Sequence, residues 1–154
     1  MPVRTQVSGH GKARALSAVP SGFALKMDVT IPARVSAITP LVESVMTVVR
    51  RQAGAKELEI ETALREALAN AIKHGCHGDP SKFVQCQVVF EDDHSVLVVV
   101  RDPGAGFDPK SVPDPTEEEH IYENHGRGIY LIRRLMDEVR FRRRGAEIHM
   151  RSRF

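Results

Sequence analysis

From Phe23 the apolar residues fall on every second position, through Leu25, Met27, Val29 and Ile31. That alternation predicts a strand with one buried face, ending at Pro32. Beyond it the apolar spacing changes to three or four residues, through Val35, Ile38, Val42, Val45 and Val49, which predicts a helix closed by Gly54. Its start is open: Pro40 either sits in the first turn after a Thr39 cap or kinks a longer helix. A second helix is expected from about Lys56 to His74, with Ile60, Leu64, Ala67, Leu68, Ala71 and Ile72 as its apolar stripe and Gly75 and Gly78 as its end.

Two strand patterns follow, about Phe83 to Phe90 and Ser95 to Arg101, joined by the turn Glu91-Asp92-Asp93-His94 in a hairpin. From Asp102 to Gly126 prolines interrupt every periodicity, and so long a loop in a compact domain is either a functional lid or a missed element. A helix from Arg127 or Gly128 to Asp137 and two strands, about Val139 to Arg143 and Glu147 to Phe154 with a turn at Gly145, complete the pattern. Residues 1–20 show no periodicity and read as a mobile leader before a single domain over 21–154. Adjacent strand pairs with three helices predict an α+β fold: a two-layer α/β sandwich whose mixed, mostly antiparallel sheet is covered on one face.

Composition narrows the function classes. A chain of 154 residues carries one domain of ordinary size. Its apolar runs are too short for a membrane span and no signal-peptide pattern opens it, so a cytoplasmic protein is expected. Cys76 and Cys86 form no CxxC pair and read as free thiols. The net charge is +2, but the signs are segregated: five acids lie between Asp114 and Glu123, and six arginines against one acid from Arg140 onward. A nucleic-acid surface is disfavoured, because charges alternating out of a half-buried strand pair account for the arginines and no aromatic residues interleave for base stacking.

Three motifs could carry chemistry. On the second helix Glu66, Asn70, Lys73 and His74 form a polar arc opposite the apolar stripe. A solvated face would look the same, but Asn70 is a poor helix former in mid-helix with no capping duty. Its amide oxygen can coordinate a hard cation, and Glu66 one turn away can accept a proton. In Arg101-Asp102-Pro103-Gly104-Ala105-Gly106-Phe107 a strand ends in an acid, followed by two glycines that let a ligand approach closely. The acid could simply cap the turn, or accept a hydrogen bond from an exocyclic amine such as that of adenine. In Asn124-His125-Gly126-Arg127-Gly128, leading into Ile129, free amides at a helix start and an arginine suit phosphate oxygens. The pattern is neither GxxxxGK[ST] nor a GxGxxG following a strand. His74, Cys76 and His77 lack a fourth ligand spaced to complete a zinc tetrahedron.

Together, in this order and spacing, the three motifs resemble the nucleotide site of the GHKL (Bergerat-fold) ATPase superfamily. The stretch GRGIYLIRRLMDEV from Gly126 to Val139 is most similar to the small anti-sigma-factor serine/threonine kinases, and the resemblance covers Phe23 to Phe154. It implies that ATP and magnesium are the cofactors, with Glu66 as general base, Asn70 as magnesium ligand and Asp102 as the acid reading the adenine amine. It also implies that Gly104 and Gly106 form the first glycine box and Gly126, Arg127 and Gly128 the second, with Arg127 near the terminal phosphate. Lys73, His74, Phe107, His125 and Ile129 complete the implied nucleotide contacts. The implied partners are a sigma factor and a small antagonist (anti-anti-sigma) protein that the kinase phosphorylates, and a homodimer is compatible with the resemblance. One departure stands out: relatives commonly carry a threonine where this chain has Ala146, which removes a hydroxyl contact to the base. It keeps open a second reading, a non-catalytic nucleotide-binding switch that sequesters a transcription partner.

Overall fold

The computed structural model describes residues 13–19, 24–106 and 124–154, with side chains over 25–106 and 127–154. Strands β1 (Ala13–Val19), β2 (Ala24–Pro32), β3 (Phe83–Glu91), β4 (Ser95–Arg101), β5 (Glu138–Arg142) and β6 (Glu147–Arg153) form one sheet in the order β1-β2-β3-β4-β6-β5. Helices α1 (Ile38–Gln52), α2 (Glu57–Asn70) and α3 (Asn124–Leu135) complete the α+β sandwich.

Alternation decides which face of the sheet is covered. Met27 and Ile31 of β2, Val84, Cys86 and Val88 of β3, Val96, Val98 and Val100 of β4, and Ile148 and Met150 of β6 point into one core. The helices close it with Val42, Val45 and Val49 of α1, Ile60, Leu64 and Leu68 of α2, and Ile132 of α3. Because α2 packs between α1 and α3, over β4, its polar positions near the α3 side face that helix rather than open solvent.

Several expectations need correction. The sheet is not mixed: all five strand pairings are antiparallel. Part of the expected leader is a strand, since Ala13–Val19 pairs with β2 across a bulge between Arg14 and Ser17. An edge strand can be ordered by backbone hydrogen bonds, which hydrophobic periodicity does not register. Residues 1–12 lie outside the described residues. Pro40 sits in the first turn of an unbroken α1, whose N-cap is Ala37 rather than Thr39. Helix α2 ends at Asn70 and continues as a single π-helical turn, Ala71–Gly75, closed by the Cys76 amide donating to the Ala71 carbonyl at 2.9 Å. Finally, α3 starts at Asn124 rather than at Arg127 or Gly128, and ends at Leu135 rather than Asp137, so Gly126 too lies in its first turn.

Candidate nucleotide site

The end of β4, the π-turn after α2, the first turns of α3 and the start of β6 surround a cavity of about 290 Å³. Asn70 and His74 of the first motif, Asp102 and Gly106 of the second, and Ile129, the residue that follows the third, line it. Its floor is apolar, built from Val100, Ile148 and Phe141 with the small side chains of Ala67, Ala71 and Ala146.

Asp102 is its half-buried acid. Its amide donates to the Ala146 carbonyl at 2.9 Å, and its Oδ1 accepts from the Gly104 amide at 2.7 Å. Burial pushes its carboxyl above the ordinary aspartate value, only partly opposed by the Gly104 hydrogen bond and the charge of His77. Oδ2 takes no hydrogen bond among the described residues, which leaves an acceptor at the cavity wall. Two glycines make room for this carboxylate. A methyl carbon at Gly75 would overlap Asp102 Cγ and both its oxygens, and one at Gly104 would stand 2.5 Å from the Gly75 carbonyl oxygen and 2.7 Å from Asp102 Oδ1. An acceptor held over an apolar floor suits a flat ring bearing an exocyclic amine.

The other end is set by α2 against α3. At Gly128 a methyl carbon would lie 2.9 Å from Glu66 Oε2 and 3.1 Å from Asn70 Nδ2, so the α3 backbone rests directly on this pair. The first amides of α3, from Asn124 to Arg127, have no acceptors within the helix and carry the positive end of its dipole. Arg127 is exposed at that end. His74 and His77 stand at the cavity mouth, with His77 in the left-handed region at φ 53°. Burial and the charges of Lys73 and His77 lower the His74 pKa.

Not every implied contact lines the cavity. Glu66 and Gly128 meet outside the lining, Gly104 lies behind Asp102, and Lys73 and Arg127 are exposed outside it. Lys73 and His74 both lie in the π-turn, and of the two only His74 lines the cavity. Phe107 lies outside the described residues, and for His125 and Gly126 only the helical backbone is described. Sequence reasoning missed Gly75, His77, Ala105 and Phe141 as lining residues. Gly75, one residue after the polar arc, and Ala105, between the two glycines after Asp102, sat beside residues already singled out; Phe141 carried no signal. No group of three or more His, Cys, Asp or Glu among the described residues could hold a metal by itself. A cation at Asn70 would therefore need most of its oxygens from phosphate and water, as magnesium commonly has in phosphoryl-transfer sites. No helix among the described residues is long and apolar enough to cross a membrane.

Residues 31–152 match the family model described as the histidine kinase-like ATPase domain. The chain is 34% identical over 84 residues to an anti-sigma F factor of Oceanobacillus iheyensis, 39% to that of Geobacillus thermodenitrificans and 37% to that of Anoxybacillus flavithermus. Each alignment covers 53% of this chain and 56% of the relative, so the chain spans about half the length of the curated relatives it matches. With a family match running from β2 to the end of β6 and enclosing the whole cavity, the chain belongs to the histidine kinase-like ATPase domain family.

Proposed function

We propose that the chain is an ATP-dependent serine/threonine protein kinase of the anti-sigma-factor type, which binds Mg-ATP, phosphorylates a small antagonist protein and thereby regulates a sigma factor in the cytoplasm. The observation that carries the reading is the single cavity in which the Asp102 carboxylate and the Asn70 amide face a common space. The anti-sigma F factor names of the relatives support the choice of partners.

Bound ATP supplies the phosphoryl group, and its magnesium neutralises charge on the phosphates. Asp102 accepts the adenine amine hydrogen, and Gly75 and Gly104 keep the carboxylate where that bond can form. Asn70 offers its amide oxygen to the metal. Glu66, one turn before Asn70, takes the proton of the attacking serine or threonine hydroxyl as its oxygen bonds to phosphorus and ADP leaves. Arg127 and the amides at the start of α3 offset the charge on the terminal phosphate. Glu66 serves this role from beside Gly128, at the end of the site where the start of α3 would meet the terminal phosphate.

The test is phosphoryl transfer from Mg-ATP to a candidate antagonist by wild type and Glu66→Gln. Transfer is expected to fall about 100-fold or more in the variant while the Mg-ATP thermal shift is retained, since general-base catalysis is worth about 100- to 10,000-fold. Equal transfer by both proteins would remove Glu66 from its role. The Ala146 methyl in the cavity wall favours the non-catalytic switch as the second reading. A Mg-ATP thermal shift with no transfer by wild type would establish it.

A further inference from the structure

The face of the sheet turned away from the helices carries a buried carboxylate. Along β6, Ile148 and Met150 enter the core, while Glu147 and His149 point the other way. Glu147 is only 6% exposed. Arg101 Nε donates to its Oε2 at 2.5 Å, Arg143 Nε stands 3.4 Å from the same oxygen, and His149 Nε2 lies 2.5 Å from Oε1. Burial by itself would raise its pKa, but the His149 and Arg101 hydrogen bonds outweigh it and hold the carboxyl below the ordinary glutamate value.

Two of these partners lead through the sheet to the cavity. Arg101 is paired in register with Glu147 and immediately precedes Asp102. Arg143 opens the turn into β6, where Arg143, Arg144 and Gly145 have φ of 51°, 56° and 89°. Glycine adopts that region freely, but an arginine is strained there and stays only where its surroundings hold it. This turn is a wall of the site. Gly145 and Ala146 line the cavity, the Ala146 carbonyl accepts from the Asp102 amide at 2.9 Å, and Gly106 lies so close to the Arg144 carbonyl that any side chain would overlap it.

We propose that Glu147 is a positioning residue for the nucleotide cavity: gripping Arg101 and Arg143 from the far side of the sheet, it holds the strained turn so that the carbonyls of Ala146 and Arg144 meet Asp102 and Gly106. The ligand half of this inference rests on the nucleotide reading of the cavity, whereas the positioning half does not. Among the described residues, the pair with Glu147 is the ion pair that ties this turn to the sheet. His149 touches the same carboxylate but lies beyond the cavity lining, so it supplies a control.

The test measures amide hydrogen exchange in ligand-free protein, together with ATP affinity, for Glu147→Gln, Arg143→Ala and His149→Gln. Exchange of the Asp102 amide is expected to speed about tenfold in Glu147→Gln and about threefold in Arg143→Ala, whose side chain is largely exposed. It should stay at the wild-type rate in His149→Gln, with ATP affinity falling in the same order as exchange rises. Mid-strand amides such as Val98 and Met150 should keep wild-type rates. Unchanged Asp102 exchange in Glu147→Gln and Arg143→Ala would overturn the proposal, and so would equal acceleration at Val98 and Met150, which marks general loosening. Should Glu147→Gln fail to fold, Arg143→Ala decides alone. Should wild type bind no ATP, the nucleotide reading falls, and Asp102 exchange still decides the positioning role.

Discussion

Replacing Gly75 by alanine tests the adenine end of the site with a single methyl group. Gly75 closes the π-turn without a left-handed φ, so its backbone would accept alanine, and elsewhere such a change stabilises by about 0.4–1 kcal/mol. Here the added carbon would overlap the Asp102 carboxylate. The carboxylate cannot simply swing aside, because Asp102 is tied at its amide to the Ala146 carbonyl and at Oδ1 to the Gly104 amide, at 2.9 and 2.7 Å. Relief requires breaking the Gly104 bond, about 1.5–3 kcal/mol for a charged acceptor, or moving the π-turn, about 1–3 kcal/mol for overpacking. Either way Asp102 leaves the position from which it would meet an adenine amine. About 2 kcal/mol of lost binding corresponds to about a thirtyfold rise in the Kd for Mg-ATP. Isothermal titration of Gly75→Ala measures it, with Gly54→Ala as control, since a methyl at Gly54 meets nothing within 4 Å. An ATP affinity equal to wild type in Gly75→Ala would refute the assignment of Asp102 as the base-reading acid.

Two further outcomes follow from protonation. Burial raises the Asp102 pKa, so the folded state holds this proton more tightly than the unfolded chain: above the unfolded value of 3.8 the ionised group costs stability, and the cost grows as pH rises through the raised value. Without nucleotide, Asp102→Asn should therefore leave thermal stability at neutral pH unchanged or higher, and it should abolish the Mg-ATP thermal shift; a retained shift would count against the adenine contact. Cys86 is fully buried, with its thiol pushed up to about 12, and Cys76 is raised by burial and by the charge of Asp102. Both should resist a thiol-disulfide reagent at pH 8 until the protein unfolds, and fast labelling of the native protein at either position would contradict the packing.

The elements that bury a face were legible because their period reports burial directly: the alternation from Leu25 to Ile31 and in β3, and the stripes from Val42 to Val49 and from Ile60 to Leu68, all reach one core. Strand β1 was not legible, since an edge strand can be specified by backbone pairing with its neighbour. The chemical residue types were legible as well: Asn70 in mid-helix, an acid before two glycines and an arginine between glycines are each locally odd, and their order along the chain carried the resemblance.

Their convergence was a matter for the tertiary structure. Asn70 and Asp102 share a cavity because β4 ends beside the π-turn after α2, and no local pattern in the chain encodes that turn's width or the direction in which it leaves Lys73. The same holds for Gly75, whose need for a bare α-carbon comes from a carboxylate twenty-seven positions later, and for Glu147, whose neighbours Arg101 and Arg143 are brought to it by strand register and a left-handed turn. Periodicity along a chain reports what each element buries. Which side chains meet across elements depends on register, crossing and the space between backbones, and these exist only once the sheet and helices have packed.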